Sequence, residues 1–282
     1  MLKYFVVDAF TGEPFGGNPA GVVLLDDDFP SEKLMLQVAA ELRYSETVFV
    51  LQQDYTEFTM RYFTPRAEVD LCGHATIAAF HVLLLRGKVL DYQPIVNHTR
   101  AGDLLVNIDK TVMMQMAMPV TVDRPIDTDR LHRIMAGQTP MEWPELPVEI
   151  VSTGLPDIIM PVKGLNELNA LRPDMDALTE MSQELDVVGV HAFTLADDGY
   201  TAHVRNFAPR FDIPEESATG TANAALTHYL AHHGLVDTDS ECRFIQGEAM
   251  DRPSIVITMP HPDGSIWVGG DSCIVAEGSL MV

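Results

Sequence analysis

Positive charge is scarce in this chain of 282 residues: 18 Lys and Arg stand against 41 Asp and Glu, a net charge of −23. The acids are spread along the chain rather than gathered in a tail, so the imbalance argues against nucleic acid and anionic membranes as partners. A small acidic ligand stays compatible, because the local field of a pocket can oppose the global one. Cysteine is scarcer still. Cys72, Cys242 and Cys273 are odd in number, widely spaced and without a CxxC pair, which excludes a disulfide framework and predicts reduced thiols in a cytoplasmic protein. No apolar run suits a membrane span: Ala75 to Leu85, the longest, is broken by His81 and falls well short of the roughly 20 residues needed. The opening MLKYFVVDAFTGEP meets an acid too early for a signal peptide. Nucleotide and metal signatures are missing as well. GEPFGGN at Gly12 to Asn18 has P-loop glycine spacing but puts Asn18 and Pro19 where Lys and Ser or Thr are required; there is no GxGxxG after a strand and no HExxH. His228, His232 and His233 have helical metal spacing with no acid beside them on that face, and read as solvated surface.

What is present is a repeat. At 46% hydrophobic the chain can bury a large core, as one big domain or two medium ones. RYFTPR at Arg61 to Arg66 returns as RNFAPR at Arg205 to Arg210, 144 residues on. Each is followed by a glycine that opens an alanine-rich stretch, CGHATIAAFHVLLL and then TGTANAALTHYL. Upstream, Pro30 and Phe49 are matched by Pro173 and Phe193; downstream, VMMQMAMP ending at Pro119 is matched by SIVITMP ending at Pro260. Landmarks in one order at nearly constant spacing predict two copies of one α/β unit. Each copy reads strand, helix, strand, strand, loop, helix, strand. Ser31 is the expected N-cap of a helix whose stripe is Leu34, Met35, Val38, Ala39 and Leu42. Ala75 to Leu85 is apolar on nearly every face, as in a helix buried inside its domain, whereas Ala222, Ala225, Leu226 and Tyr229 form a one-sided stripe. The expected division is residues 1–119, a proline-rich linker at 120–147 with a short helix around Asp129 to Met135, and residues 148–282, whose last strand can cross back to the first half.

In a two-copy protein the ligand pocket is expected between the copies, and chemistry where they disagree. At an offset of 144, Glu46 stands opposite Val190, so the acid exists in one half only. Alternation puts Glu46 on the face of Val48 and Val50, and an apolar face is where a carboxylate gains the proton affinity of a shuttle. Capping the exposed end of the strand is the bland alternative. Gly73-His74 and Gly220-Thr221 each open a helix, whose free N–H groups would clamp a carboxylate; the bland alternative is a tight turn. His74 could donate to, or exchange protons with, a substrate. Cys72 has Thr219 as its counterpart, so no thiol pair exists, and it reads as packing.

VDAFTGEPFGGNPAGVV (Val7 to Val23), SETVFV (Ser45 to Val50), LCGHAT (Leu71 to Thr76), VSTGLPD (Val151 to Asp157) and EESATGTANAAL (Glu215 to Leu226) occur in that order. Together they resemble the PhzF-like phenazine-biosynthesis family along almost the whole chain. The resemblance implies an α/β (α+β) protein of the diaminopimelate epimerase type, two pseudo-symmetric domains each wrapping a mixed sheet around a central helix. It also implies a cofactor-independent, usually dimeric isomerase. It carries an acid/base role onto Glu46 and catalytic roles, stabilising developing charge and relaying protons, onto His74 and Glu216. Glu216 stands where phenazine-pathway members have aspartate, and Thr221 where the family has serine. Asn18, Ser45, Gly73, Gly220 and Thr221 are the implied substrate-binding positions. The expectation is an isomerase moving a proton on a small carboxylate-bearing substrate, a homodimer with no metal or other cofactor and no nucleic-acid or membrane partner. The alternatives are an amino-acid or hydroxy-acid racemase or epimerase, and a binding protein that keeps the pocket without turnover.

Overall fold

Apolar residues at nearly every position of Leu2–Ala9 and Asn18–Leu25 give two strands, β1 and β2, largely buried on both faces. The structure, a computed structural model, describes residues 1–90, 93–137 and 141–282. Two units divide the chain: Met1–Gln115 with Gly269–Val282, and Met116–Val268. After β1 and β2 the first unit continues with α1 (Glu32–Leu42), β3 (Glu46–Gln52), β4 (Glu57–Phe63), β5 (Glu68–Val69), α2 (Gly73–Leu85), β6 (Ile95–Thr99), β7 (Gly102–Ile108) and β8 (Val112–Gln115). The C-terminal strand, Ser272–Leu280, returns to pair antiparallel with β1. Ser31 caps α1, its Oγ accepting the Leu34 N–H at 3.3 Å, and Arg43 in the left-handed region ends it. The Met35, Val38 and Ala39 face of α1 packs with Phe49 and Phe63 on one face of the sheet. On the other face lies α2, where His74 through Phe80, Val82 and Leu83 are all buried.

The second unit holds β9 (Val120–Val122), α3 (Thr128–Ala136), β10 (Glu149–Ser152), β11 (Pro156–Pro161), α4 (Leu165–Ala170), α5 (Met175–Glu184) and β12 (Val190–Leu195). It then continues with β13 (Ala202–Ala208), β14 (Ile213–Glu216), α6 (Gly220–His232), β15 (Cys242–Gln246) and β16 (Ser254–Pro260). Pairing shows the repeat directly. In unit 1 the steps β1 to β2, β3, β4, β6 and β7 are antiparallel, parallel, antiparallel, parallel, antiparallel. The steps β10 to β11, β12, β13, β15 and β16 follow the same order.

Four details differ from the sequence reading. First, α6 is not one-sided: Asn223 and Thr227 are buried with its apolar residues, Thr227 Oγ1 meeting Thr258 Oγ1 at 2.6 Å, so hydrogen bonds admit polar groups that a hydropathy stripe counts as exposed. His228 is half-buried beside Thr121, and His233 meets Glu149, an acid near this histidine run, at 3.1 Å. Second, Ser254–Pro260 corresponds by pairing to β7, not to the strand that runs toward Pro119. Third, the stretch expected as a linker packs into unit 2: β9 pairs with β10, and Leu131, Ile134 and Met135 of α3 lie in the core beneath α5. Residues 138–140 of that stretch lie outside the described residues.

The fourth concerns register. Phe49 packs on the α1 side of its sheet, but Phe193 packs on the α6 side of its own. Aligning them would turn every side chain of the strand to the wrong face, because strand alternation has a period of two. A shift of one residue repairs this and makes Gly189, not Val190, the counterpart of Glu46. By the same register, Ala20 beside Glu46 corresponds to Asp157 beside Gly189. A Cβ on Gly189 would lie 1.8 Å from the Phe207 carbonyl oxygen, so no side chain fits there.

Phe80 on α2 is fully buried and meets Phe58 edge-on at 5.3 Å. Phe80→Ala should cost about 3–5 kcal/mol of stability, read as a lowered urea midpoint; a loss under 1 kcal/mol would contradict α2 as the centre of its unit.

Candidate active site

In unit 1 the site is built where β2, β3 and the start of α2 meet. Asp8 at the end of β1 is buried and accepts the Phe15 N–H at 2.7 Å, tying down the loop that leads into β2. Gly17 turns that loop at φ 62°, where a Cβ would sit 2.2 Å from the Ala9 carbonyl oxygen. This delivers Asn18 to the site, its Nδ2 3.4 Å from His74 Nδ1. Across the ring, His74 Nε2 lies 3.3 Å from Glu46 Oε2 and 3.3 Å from Ser45 Oγ. With Asn18 Nδ2 donating, Nδ1 carries the lone pair and the Nε2–H faces the Glu46 carboxylate. His74 is buried, and the Glu46 side chain is 17% exposed, so the acid is sheltered while one edge stays open to a ligand.

Cys72, read from sequence as packing alone, does more: its Sγ is 3.4 Å from His74 Nδ1 and 3.8 Å from Nε2. Glu46, Cys72 and His74 present donor atoms within 4.8 Å of one another, and among the described residues they are the one group able to hold a metal ion. No side chain caps α2, so its first-turn N–H groups are directed at whatever occupies the site. Asn18, Ser45, Glu46, Gly73 and His74 are therefore brought together in one unit.

Unit 2 has its own polar centre at the start of α6, also without a side-chain cap. Gln246 Oε1 accepts from Thr219 N at 3.1 Å and from Asn223 Nδ2 at 2.9 Å; its Nε2 donates to Glu216 O at 2.8 Å and Thr219 Oγ1 at 3.0 Å. Thr219 Oγ1 donates in turn to Glu216 Oε2 at 2.8 Å. Gly220 is buried in the first turn, and the Thr221 carbonyl accepts from Thr153 Oγ1 at 2.9 Å. Deeper in, His191 Nε2 lies 3.3 Å from Asn223 Oδ1 and its Nδ1 3.3 Å from Asn206 Nδ2. Burial pushes the His191 imidazole down to about 4, so it stays neutral near pH 7.

Asp157, His191, Asn206, Asn223 and Gln246 escaped the sequence reading. Their signal is polar residues inside otherwise apolar strands, as in HAF and VRNF, and for Asn223 an amide inside the alanine-rich stretch of α6. A cavity of about 590 Å³ lies on the opposite face of β13, lined by Arg172, Arg205, Glu215 and Glu248, and is separate from this centre.

A family model described as phenazine biosynthesis-like protein, PhzC-PhzF, matches residues 7–278. The chain belongs to that family. It is 34% identical over 267 residues to the uncharacterized isomerase YddE of Escherichia coli K12, covering 90% of this chain and 88% of that protein. It is 28% identical over 292 residues to trans-2,3-dihydro-3-hydroxyanthranilate isomerase of Pseudomonas aeruginosa, covering 99% of each. A crystal structure of a PhzF-family phenazine biosynthesis protein from Bacillus anthracis superimposes with a TM-score of 0.89 at 28% identity, over 100% of this chain and 99% of the other. The mixed α/β architecture is that of the PhzF and diaminopimelate epimerase-like proteins, and this is an enzyme family whose named members are isomerases. No helix among the described residues is long and apolar enough to cross a membrane.

Thr219→Val removes a hydroxyl that both accepts from Gln246 and donates to Glu216. It should cost about 1–3 kcal/mol in thermal or urea denaturation. Thr219→Ser should recover most of that loss, and equal losses in the two variants would show that the methyl, not the hydroxyl, matters.

Proposed function

We propose that this protein is a cofactor-independent isomerase that moves a proton between two positions of a small carboxylate-bearing substrate. The observation that carries the reading is the sheltered Glu46 carboxylate 3.3 Å from His74 Nε2, at a helix start that no side chain caps. Free N–H groups at the start of α2, including that of Gly73, bind the substrate carboxylate and favour negative charge. Glu46 takes a proton from an adjacent activated carbon. The electron pair left behind spreads into the conjugated system of the substrate, and Glu46, now the acid, returns the proton at another carbon. His74 holds the carboxylate in place through its Nε2–H, with Asn18 and Ser45 orienting the ring and touching the ligand. In unit 2, Glu216, Gly220 and Thr221 provide an acid and an uncapped helix start of the same chemical kind, suited to holding negative charge and exchanging protons. With this reading go a homodimer and a cytoplasmic setting.

Racemisation by a pair of thiols is the weaker reading, because the residue before Gly220 is Thr219, a hydroxyl where the two-thiol chemistry needs a cysteine. The substrate of the Pseudomonas relative, trans-2,3-dihydro-3-hydroxyanthranilate, and other small unsaturated acids are the probes to incubate in deuterated water. Wild type should place deuterium on carbon, and Glu46→Gln should lose roughly 10²–10⁴-fold of that exchange while still binding the ligand in calorimetry. Exchange that survives in Glu46→Gln would remove the carboxylate from the mechanism; tight binding with no exchange in either protein would make this a binding protein.

A further inference from the structure

The hydrogen bonds around the start of α6 run in one direction, set by backbone groups that can act in only one way. Gln246 must present Nε2 to the Glu216 carbonyl and Oε1 to the Thr219 amide, so Thr219 Oγ1 accepts from Gln246 and spends its own proton on Glu216 Oε2. Glu216 Oε2 is thereby an acceptor. Asn223 Nδ2 donates to both Gln246 Oε1 and the Thr219 carbonyl, so its Oδ1 must accept, and His191 must carry its proton on Nε2. Nδ1 of His191 is then a lone pair that accepts from Asn206 Nδ2. The chain of donors ends at Asp157, which the Gly189 N–H and the Asn206 side chain also address. Yet Asp157 Oδ1 and Asn206 Oδ1, both buried, have no donor at all. A wholly buried carboxylate with one bare oxygen and a second carboxylate nearby is an unstable arrangement unless it carries a proton.

We propose that Asp157 and Glu216 hold one proton between them near neutral pH and that it resides on Asp157, making Asp157 a positioning residue that keeps Glu216 ionised. The proton turns the bare Oδ1 into a hydroxyl and removes the repulsion between the two acids. Burial first, then the Glu216 charge, pushes the Asp157 carboxyl up to about 7. The groups facing it are Glu216 from β14, neutral His191 from β12, and the uncharged Asn206 and Val151 from β13 and β10. Arg205, the nearest cation along β13, points to the other face and pairs with Glu215 at 2.8 Å. In the two-fold repeat this acid is the reply of unit 2 to Glu46: one strand over, at the place Ala20 fills in unit 1. It is a property of the resting protein and holds whatever the substrate proves to be.

The test is a pH titration of side-chain carboxyl ¹³C shifts in protein labelled at aspartate, with no ligand added. The Asp157 signal, assigned by its loss in Asp157→Asn, should titrate near pH 7, and in Glu216→Gln its midpoint should move to lower pH because the neighbouring charge is gone. If Asp157→Asn does not fold, the one aspartate whose midpoint moves in Glu216→Gln identifies the residue. Denaturation gives a second readout. Because the folded-state value lies above the ordinary 3.8, the native protein binds an extra proton between about pH 4 and 7. The stability contributed by protonated Asp157 is therefore complete below about pH 4 and lost as pH rises to about 7. Wild type measured against Asp157→Asn should show that one-proton slope, with the His191 contribution cancelling. Midpoints all within the ordinary aspartate range, or an Asp157 midpoint that ignores Glu216→Gln, would overturn the shared proton.

Discussion

A helix buried inside a sheet must find partners, or a ligand, for the N–H groups of its first turn, and both central helices begin without a side-chain cap. That one constraint organises the polar chemistry of each unit. Around the start of α2 it gathers Asn18, Ser45, Glu46, Cys72 and His74 from three separate stretches of chain. Around the start of α6 it gathers Glu216, Thr219, Asn223 and Gln246, with His191, Asn206 and Asp157 behind them. The rest of each core is mainly apolar packing that holds the helix in place, with hydrogen-bonded polar groups such as Tyr62, Thr76 and Asn97 set within it. Most polar groups placed there are hydrogen-bonded, and Asp157 Oδ1 and Asn206 Oδ1 stand out because they are not.

The two units meet this constraint with the same topology but different chemistry. Unit 1 puts its inward acid at the first residue of β3, where Glu46 has room. Unit 2 cannot, because the Phe207 carbonyl fills the space beside Gly189. Its inward acid sits on the neighbouring strand as Asp157, wholly buried, where unit 1 has Ala20. A half-open carboxylate beside an imidazole suits proton exchange with a ligand, and a sealed one suits holding a proton. Duplication supplied the frame, and a few substitutions on inward strand positions divided the roles.

The repeat, the helix openings at Gly73 and Gly220 and the cap at Ser31 were legible because each depends on residues close together in the chain. Glu46 stood out through the broken repeat and His74 through its place at a helix opening, but that the two side chains meet was decided by the fold. The register of β12 was not legible: Phe49 and Phe193 align well as letters yet face opposite sides of their sheets. Nor was the interior of α6, since Asn223 and Thr227 look like solvent-facing residues until their partners on β12 and β16 are known. The same holds for residues around α3, whose proline-rich flanks suggested a tether although the helix closes the core of unit 2.

By itself the sequence determined that this is a duplicated α/β chain with strongly acidic character, two glycine-led helices and one conspicuous acid in an apolar strand. Local spacing and composition carry that information. Only the tertiary structure decided which residue faces which, from the contact of Cys72 with His74 to the sealing of Asp157. Side-chain direction in a strand reverses with every residue, and burial is set by strands that arrive from far along the chain.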